Sequence, residues 1–563
     1  MSERYSRGRV KGFLHTDGRV MRNGDGEEIL LRGWCAGNWT NPEGFLCGDS
    51  APRSRGGKPT DVPSRLERAR GWEESVRLLC GSEYAASFWP RWYRAHLGEA
   101  DIRAMAEYGY NSIRLPLNAR AFLPEEPGYR WNENSFEMLD QVIDWCEQYK
   151  LYAILDLHTT PGGQSALHCD DGIDAVPRFY EEEESQERTI RLWEKLAERY
   201  RDRWIVGGYD LLNEPLAPAS QFHLMPKLVA FYDRLIARIR QIDRRHMLTI
   251  EGAAASTNTE IFDHDYDPVG HNWCIHTHFY GLSPEERSLY RYLDKSLEWN
   301  VPIWMGEGGG NQVDVAVLAE VFRKHGIGLC LWSWKVATFP DGRLRRDPVQ
   351  YRLPAGWDRV LACLHEGAPR PSYAECQRIF DEMLENMRFE NCIQQPEQHT
   401  WLTQGVNRRL PGAAYDTCGE APFHGHWPYG NPCDFRTEDR MHLRLRPGCE
   451  PPRRAMPFDS AAPAPYRALE NLALQLDEGD WASYTVCNPG ESCDCVLLAA
   501  APCGAKLIVT SDGAEQALEI PPSEKAAAYP VATLSPAPSQ TVRIACARGS
   551  AVLEELQWIS SHT

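Results

Sequence analysis

The sequence lacks the long apolar stretches that mark membrane and secreted proteins. Its 563 residues contain no run of about 18 apolar residues, the length that a membrane-spanning helix requires. The amino terminus, Met1–Val10, also lacks the apolar core of a signal peptide. We therefore expect a protein without a membrane span that resides in the cytoplasm.

The sequence also has fewer basic residues than acidic ones. The chain has 61 Lys and Arg residues against 79 Asp and Glu residues, a formal net charge of −18. Nucleic acids and anionic membranes attract proteins with an excess of basic residues, so this balance argues against either as the main partner. The charge balance leaves the oligomeric state open.

The 18 cysteines do not follow the spacing of a zinc site. The nearest approaches are Cys493-Asp494-Cys495 and the group His424, His426 and Cys433, and we predict neither a metal nor any other cofactor. In a reducing cytosol the cysteines are expected to be free thiols, many of them buried as small apolar residues, as at Cys274.

What the sequence does contain is a regular alternation of apolar runs and helical patterns. The eight apolar runs are Ile29–Gly33, Ser112–Leu117, Tyr152–His158, Val206–Pro215, Met247–Gly252, Asn272–Tyr280, Pro302–Gly309 and Gly326–Trp334. The helical patterns include Gly98–Tyr108, Ser135–Lys150, Glu187–Arg203, Lys227–Ile242, Pro284–Trp299 and Val313–His325. Parallel strands need crossover connections, which are usually helices, so the alternation predicts an α/β fold in which eight units close into a (β/α)8 TIM barrel.

Two of these runs carry a glutamate at or near their end, in Asn213-Glu214-Pro215 and in Gly306-Glu307-Gly308. The carboxyl ends of barrel strands gather on one face, where catalytic groups converge. A retaining glycosidase needs two carboxyl groups about 5–5.5 Å apart, one ionised to attack the anomeric carbon and one protonated to release the aglycone. Glu214 and Glu307 therefore predict a retaining glycosidase.

Other runs also carry polar or large aromatic residues at or near their ends, namely Arg114, His158, Asn213, His278, Tyr280 and Trp332. Each alone is explained as an ordinary core residue, but the whole set is not, because buried charges need partners. A cation such as Arg114 beside Glu307 would keep that carboxyl ionised, whereas Glu214, without such a partner, would hold its proton near neutral pH. An indole face such as that of Trp332 can pack against a pyranose, and Trp334 faces the same side of the strand.

The motifs stand in the order Ile113-Arg114-Leu115-Pro116, Asp156-Leu157-His158, Asn213-Glu214-Pro215, His278-Phe279-Tyr280, Glu307 and Trp332. As a set they resemble glycoside hydrolase family 5, over roughly Gly12 to Glu385. The resemblance implies that Glu214 is the general acid/base and that Glu307 is the nucleophile.

The same resemblance implies roles for the neighbouring side chains. Arg114 and Tyr280 would hold the nucleophile, and Asn213 would contact the 2-hydroxyl of the sugar. Two histidines, His158 and His278, would orient groups around the sugar. Trp332 would form the floor of the sugar subsite, with Trp334 as the alternative.

Within the family, the chain is most similar to the exo-β-1,3-glucanase and β-glucosidase-like branch, through Leu31-Arg32-Gly33-Trp34, Phe88-Trp89, Glu99-Ala100-Asp101-Ile102, Asp156–Gln164 and Asn213–Pro218. It departs from that branch at Asn118-Ala119-Arg120 and at Ser165–Asp170. These positions lie in loops that shape substrate subsites, so they leave the sugar and its linkage open.

Two segments extend the chain beyond a plain barrel. Residues 1–390 are predicted to form the catalytic barrel, with a long insertion at Thr40–Leu97 that acts as a lid or subsite wall. The aromatic residues Trp72, Phe88, Trp89 and Trp92 either pack this insertion onto the site or form a small satellite core. A walled pocket favours exo cleavage over an open endo groove.

Residues 391–563 are predicted to form an all-β sandwich domain. Its candidate strands are Trp481–Val486, Lys506–Thr510, Thr541–Ala545 and Val552–Trp558. The domain weakly resembles carbohydrate-binding modules of families 6 and 35, through Pro411–Asp416, Gly479-Asp480-Trp481 with Tyr484, and Leu556–Ile559. It either binds sugar or serves as a structural unit.

These observations predict an enzyme that hydrolyses β-glucosides or short β-gluco-oligosaccharides from one end by double displacement. Its partner is then a small glycoside substrate. The alternatives among enzymes are β-mannosidase, glycosylceramidase-like or endo-β-glucanase activity. The alternative outside enzymes is a non-catalytic glycan-binding protein, which the presence of both glutamates disfavours.

Overall fold

The computed structural model describes residues 9–49, 65–280, 289–309, 319, 321–323, 325–345, 347–395, 402, 409–419, 441–449, 471–488, 492–535 and 537–560. The chain divides into two compact units. The barrel unit comprises Gly8–Gly308 and Gly326–Gln394, and the β unit comprises Met1–Arg7, Gly309–His325 and Gln395–Thr563. The β unit therefore includes a segment that lies between two barrel strands in the sequence.

The barrel unit contains a closed barrel of eight parallel strands, and each predicted apolar run supplies one of them. A hairpin of β1 (His15–Asp17) and β2 (Val20–Arg22) precedes the barrel. The barrel strands are β3 (Arg32–Cys35), β4 (Ser112–Asn118), β5 (Tyr152–Thr159), β6 (Val206–Asp210), β7 (Met247–Glu251), β8 (Trp273–Tyr280), β9 (Ile303–Gly309) and β10 (Gly328–Leu331). The ring closes where β10 pairs with β3, which confirms the predicted TIM barrel.

The helices of the barrel unit lie between successive barrel strands or follow the last one. They are α1 (Ala69–Cys80), α2 (Ser82–His96), α3 (Glu99–Glu107), α4 (Ala119–Phe122), α5 (Glu133–Tyr149), α6 (Glu183–Tyr200), α7 (Met225–Ile242), α8 (Ala253–Ser256), α9 (Tyr290–Trp299), α10 (Trp357–His365) and α11 (Tyr373–Met387). In α7 the buried side chains recur at helical spacing, from Leu228 through Phe231 and Leu235 to Ile239, which is the apolar stripe of a helix packed on a sheet. The predicted helix Val313–His325 lies mostly outside the described residues.

A short sheet accompanies the final barrel strand. Its strands are β11 (Lys335–Ala337), β12 (Val349–Tyr351) and β13 (Ile393–Gln394). Lys335 is completely buried there, and its ammonium group lies 2.8 Å from a carboxylate oxygen of Asp101 on α3. The buried charge thus has the partner that it requires.

The insertion Thr40–Leu97 contains α1 and α2, and its residues 50–64 lie outside the described part of the chain. Trp72, Phe88 and Trp92 are completely buried in it. Trp72 stacks on Trp357, with ring centroids 5.8 Å apart, and the same cluster includes Phe380. These aromatic residues form the satellite core and hold the insertion against α10 and α11.

The β unit is an antiparallel all-β domain, as predicted, built as one curled sheet. Its strands are β14 (Arg409–Pro411), β15 (Thr417–Gly419), β16 (His442–Leu445), β17 (Leu472–Asp477), β18 (Trp481–Asn488), β19 (Cys493–Ala501), β20 (Ala505–Ser511), β21 (Ala514–Ile520), β22 (Ser523–Leu534) and β23 (Ala537–Ser560). The two predicted strands Thr541–Ala545 and Val552–Trp558 are parts of the single strand β23. The register shifts opposite Lys506 and Leu507, and Gly549 has a φ of 79°, so the strand bends there and continues with new neighbours.

Most residues that carry the resemblance to carbohydrate-binding modules belong to the core of the β unit. Tyr415, Tyr484 and Trp558 are almost completely buried, and the Tyr484 hydroxyl donates a hydrogen bond to the carbonyl of Gly412 (2.7 Å). These side chains hold the framework together. They do not present a sugar-binding surface.

The cysteines of the described residues are free thiols, and most of them are buried. Cys493 and Cys495 face the core of the β unit from the same side of β19, among apolar side chains. The group His424, His426 and Cys433 lies outside the described residues. No helix within the described ranges is long and apolar enough to cross a bilayer.

Candidate active site

The carboxyl ends of the barrel strands bring the eight sequence-predicted residues together. Arg114 lies on β4, His158 on β5, His278 and Tyr280 on β8 and Glu307 on β9, whereas Asn213 and Glu214 follow β6 and Trp332 follows β10. Hydrogen bonds, ion pairs and ring contacts join them into one cluster. The face that gathers the strand ends is the one on which barrel enzymes carry their active sites.

Glu307 is held at both of its carboxylate oxygens. Arg114 donates from Nη1 to Oε2 (2.6 Å), and the hydroxyl of Tyr280 donates to Oε1 (2.8 Å). Burial raises the pKa of Glu307, the charges of His278 and Arg114 oppose this, and the charge of Glu214 adds to it, so that the net direction is upward. The expected contact with Arg114 is therefore present, but it does not hold the pKa below its ordinary value.

Glu214 has a basic partner, contrary to the expectation from sequence. Nδ1 of His278 lies 2.9 Å from its Oε1, and the thiol of Cys169 lies 3.5 Å from its Oε2. Burial raises the pKa of Glu214, but the hydrogen bond and charge of His278 and the charge of His158 outweigh burial and lower the pKa to about 2. The pKa of His278 is raised well above its ordinary value, so the two shifts together favour an ionised Glu214 beside a protonated His278.

The two carboxylates lie close enough for direct attack on a bound sugar. One oxygen of Glu214, one oxygen of Glu307 and a ring nitrogen of His278 all lie within 4.8 Å of one another. Retaining glycosidases place their carboxyl groups about 5–5.5 Å apart, whereas inverting enzymes leave about 6.5–9.5 Å for a water molecule. The observed separation fits the retaining geometry.

Arg114 is the completely buried centre of the cluster. Its Nε donates to Asp210 (2.8 Å), and its Nη2 contacts Asn213 (2.8 Å), Glu251 (3.0 Å) and Asp156 (3.1 Å). None of these three carboxylates was assigned a role from the sequence. Each lies at or near the end of a barrel strand within an apolar run, which is the same signal that identified Glu214 and Glu307.

The turn that carries the acid/base candidate is pinned by side chains of neighbouring strands. Glu214 has a φ of 43°, in the left-handed region that few non-glycine residues adopt. Its backbone N–H donates to Oε2 of Glu251 (2.7 Å). Gln164 donates to the carbonyl of Asn213 (2.9 Å) and to that of His158 (2.8 Å), so that three strand ends are tied together.

The two candidate tryptophans occupy different environments. Trp332 is partly exposed, and its ring stacks on that of His158 at 7° with centroids 5.2 Å apart. Trp334 is 1% exposed, and its indole N–H donates to Asp101 (2.9 Å). Because Trp334 is buried and Trp332 is partly exposed beside His158, the geometry favours Trp332 as the subsite floor.

Gly306 precedes the candidate nucleophile Glu307, and only a residue without a side chain fits at this position. A methyl group at this position would lie 1.9 Å from Nε2 of His276, far inside van der Waals contact. His276 in turn contacts Asp210 through Nδ1 (2.9 Å). Any larger residue at position 306 would displace this buried ring from beneath the site.

A wall beside the carboxylates is built from two loops. Asn41 donates to the carbonyl of Cys169 (2.9 Å), and Glu43 contacts His168 at 2.8 Å. Asp171, in the same loop as Cys169, accepts hydrogen bonds from Asn118 (3.0 Å) and Arg120 (2.6 Å). The wall thus joins the start of the insertion to the loop after β5.

Helix α1 supports this wall from behind. Arg120 also donates to Glu73 on α1 (2.9 Å), and the backbone N–H of Arg70 donates to Asp171 (2.7 Å). Arg68, which precedes α1, contacts Asp170. The insertion therefore contributes to the wall through its polar residues, whereas its aromatic residues form the separate core.

Two groups of three side chains in this site have the atom types of a metal site. They are Glu251, His276 and His278, and Glu214, His278 and Glu307. The guanidinium of Arg114 lies 3.0 Å from Glu251 and 2.6 Å from Glu307, so a fixed positive charge already contacts one carboxylate of each group. This charge disfavours a bound cation.

The comparisons with known proteins agree with this geometry. Residues 75–338 match the family model "Cellulase (glycosyl hydrolase family 5)". The chain is 31% identical to a beta-xylosidase of Phanerodontia chrysosporium over 318 residues, which cover 53% of this chain and 61% of the relative. It is 27% identical to a probable glucan 1,3-beta-glucosidase A of Emericella nidulans over 252 residues, which cover 42% of this chain and 60% of the relative.

Among solved structures, an endogalactoceramidase aligns with 96% of this chain and 99% of its own, at 16% identity and a TM-score of 0.44. The chain spans about three fifths of the two curated relatives. The family match contains Arg114, Glu214 and Glu307, the residues that the barrel brings together. Residues 75–338 are therefore similar to glycoside hydrolase family 5.

Proposed function

We propose that the protein is a retaining, exo-acting β-glycosidase for β-glucosides or short β-gluco-oligosaccharides. The observation that carries this proposal is the pair of carboxylates, with Glu307 held by Arg114 and Tyr280 and Glu214 held by His278, whose oxygens lie within 4.8 Å of each other. Two carboxylates in different environments at this separation suit double displacement.

In the first step, Glu307 attacks the anomeric carbon while the bond to the aglycone breaks. Glu214 gives its proton to the departing oxygen, and His278 supplies that proton to Glu214 across the 2.9 Å contact. A covalent glycosyl ester on Glu307 results. As Glu307 loses its negative charge in the ester, Arg114 remains paired with Asp156, Asp210 and Glu251.

In the second step, water enters from the side of Glu214. Glu214, now ionised, takes a proton from this water, and the oxygen of the water attacks the anomeric carbon. The ester bond breaks, and the sugar leaves with its original configuration. Glu214 then returns this proton to Nδ1 of His278 across the 2.9 Å contact, and both groups regain their starting charges.

Exo action is supported by the wall between Asn41 and Asp171. Buried polar contacts tie its two loops to each other and to α1, so that the wall is held in place on one side of the site. A pocket closed on one side admits the end of a glycan chain more readily than its middle.

A β-xyloside is the second candidate substrate. The relative with 31% identity is named a beta-xylosidase, and a pyranose without the hydroxymethyl group would also fit between the carboxylates. A pocket discriminates one missing group by only about 1–3 kcal/mol. Hydrolysis of both glycosides at unequal rates would therefore be consistent with the same site.

The test is a panel of aryl β-glycosides with glucose, xylose, mannose and galactose, followed by β-linked glucose oligosaccharides of defined linkage. Nuclear magnetic resonance of the first product reports its anomeric configuration. We expect the β-glucoside to give the highest kcat/KM and the β-anomer to appear first. First appearance of the α-anomer would contradict retention, and a preference for xylose or mannose would replace the proposed sugar.

A further inference from the structure

Glu251 occupies the carboxyl end of β7 and has no place in the two catalytic steps. Its side chain is completely buried, yet it lies between the backbone of Glu214 and the side chain of His278. Oε2 accepts the N–H of Glu214 (2.7 Å), and Oε1 lies 3.3 Å from Nε2 of His278. Since Nδ1 of His278 contacts Oε1 of Glu214 (2.9 Å), the three residues form a closed ring of contacts.

This ring joins two properties of the acid/base. The hydrogen bond from the backbone N–H of Glu214 to Glu251 fixes the backbone of Glu214 in its left-handed conformation, with φ at 43°. The contact of Glu251 with His278 places a carboxylate on the ring nitrogen that faces away from Glu214. A carboxylate on one ring nitrogen of a histidine selects the tautomer and raises the basicity of the other nitrogen.

We propose that Glu251 is a positioning residue that fixes the backbone of Glu214 and, by holding charge against Nε2 of His278, keeps the transferable proton on the His278–Glu214 pair. This inference rests on the proposed function and deepens it. When His278 passes its Nδ1 proton to Glu214, the proton on Nε2 remains, 3.3 Å from Oε1 of Glu251. No atom is gained or lost in the transfer.

The charged groups around Glu251 are consistent with this role. Arg114 on β4 contacts Oε1 (3.0 Å), and His276 on β8 approaches it at 3.5 Å. Asp210 on β6 faces the same cluster, and the hydroxyl of Tyr232 on α7 donates to the backbone carbonyl of Glu251 (3.0 Å). Burial raises the pKa of Glu251 to about 7, with a further rise from Asp210 against the lowering effects of His278 and Arg114.

The pKa of His278 moves in the complementary direction. Burial lowers it, but the charge of Glu251, followed by the charge of Glu307 and the hydrogen bond to Glu214, raises it well above the ordinary value. Removal of the Glu251 charge should therefore release the proton of the His278–Glu214 pair at a lower pH.

The kinetic test compares Glu251→Gln, which removes the charge and keeps the shape, with Glu251→Asp, which keeps the charge. In Glu251→Gln the alkaline limb of the profile of kcat/KM against pH should move to lower pH by about one unit or more, the shift expected from one adjacent charge. In Glu251→Asp the alkaline limb should stay near its wild-type position even if kcat falls. Equal shifts in both variants, or no shift in Glu251→Gln, would overturn the proposal.

Asp243→Asn is the matched control. Asp243 is a buried carboxylate just before the amino end of the same strand, where it contacts His246 at 2.5 Å. This variant removes a buried carboxylate–histidine contact outside the active site, so it should lower stability and leave the alkaline limb in place. A purely structural role for Glu251 predicts that Glu251→Gln behaves like Asp243→Asn.

A second measurement does not depend on turnover. The side-chain nitrogens of His278 are titrated by nuclear magnetic resonance, with the signal assigned by its loss in His278→Gln. In the wild type we expect His278 to titrate above the ordinary range of a histidine, and in Glu251→Gln we expect its titration at lower pH. A wild-type His278 that titrates at or below the ordinary value would overturn the proposal even if Glu251→Gln fails to fold.

Failure of the positioning role of Glu251 can be distinguished from failure of the proposed function. A wild-type protein that hydrolyses no aryl β-glycoside would contradict the glycosidase assignment, and the histidine titration would still decide on Glu251. An active enzyme whose His278 titration ignores Glu251 would retain the glycosidase assignment and lose the positioning role.

Discussion

At the scale of single residues, Glu307 and Glu214 differ in what holds them. Glu307 receives hydrogen bonds from Arg114 and Tyr280, which position an attacking oxygen. We predict that Glu307→Gln lowers kcat by at least about 10⁴-fold on every substrate, because an amide neither attacks the anomeric carbon nor stabilises the positive charge of the transition state.

The control for this variant makes the same chemical change on the surface. Glu298 is half exposed on α9 and pairs with Lys295 at 2.8 Å, so Glu298→Gln should keep wild-type kinetics. Steady-state kinetics with an aryl β-glycoside checks both variants. Near-normal turnover by Glu307→Gln would remove it as the nucleophile.

Glu214→Ala should affect substrates unequally. Poor leaving groups need the proton that Glu214 delivers, whereas activated aryl groups leave with little assistance, so we expect a loss of about 10²–10⁴-fold for the former and a much smaller loss for the latter. Azide should restore the rate on activated substrates by attacking the glycosyl ester, with a β-glycosyl azide as product. Equal losses without an azide product would argue against the acid/base assignment.

At the scale of elements, the two ends of β7 illustrate how one strand serves both stability and the site. Its carboxyl end carries Glu251, and just before its amino end Asp243 accepts hydrogen bonds from Tyr209 (2.7 Å) and from the backbone N–H of Arg245 (2.8 Å), beside His246. Burial raises the pKa of Asp243, but the bond and charge of His246 outweigh it, so the net direction is downward.

Asp243→Asn should therefore lower the free energy of unfolding at neutral pH by about 1–3 kcal/mol, because buried partners lose a charged acceptor. A carboxyl group whose folded-state pKa is depressed stabilises the fold above its unfolded pKa of about 3.9 and loses that contribution as the pH falls toward the folded value. The difference in free energy of unfolding between the wild type and the variant should hence become smaller below about pH 4.

Urea denaturation at pH 7 and at pH 3.5 measures this gap. Asp202, which is mostly exposed and paired with Arg245, supplies the matched control, since Asp202→Asn should leave the stability unchanged. A gap of the same size at both pH values would show that the Asp243 charge does not stabilise the fold.

Strand positions and the barrel were predictable because apolar runs buried on both faces leave an unmistakable pattern, as in β4 and β5. The partner of Glu214 was not predictable from the sequence, because His278 lies 64 residues away. Their contact depends on how the ends of β6 and β8 turn toward each other. The continuity of β23 was missed for a related reason. A bulge and Gly549 look like a turn in the sequence, although the chain there only bends.

At the scale of the whole molecule, the division into units does not follow one cut in the sequence. The β unit takes Gly309–His325 from between two barrel strands, and within that unit Arg323 is paired with Asp416. The prediction of residues 1–390 and 391–563 as domains could not contain this segment, because local composition does not report which residues pack together over long distances in the chain.

The wall of the barrel unit leads to the last prediction, which concerns how the enzyme degrades a polymer. Asn41 and Glu43 contact the loop that carries His168 and Cys169, so one side of the site is closed by fixed side chains. On a long linear β-glucan we expect monosaccharide release with little early loss of viscosity, because only chain ends enter. Arg120→Met, which removes the contacts of Arg120 with Asp171 in the wall and with Glu73 on α1, should raise KM for short oligosaccharides. A rapid early fall in viscosity, with mixed oligosaccharide products, would show an open cleft and contradict exo action.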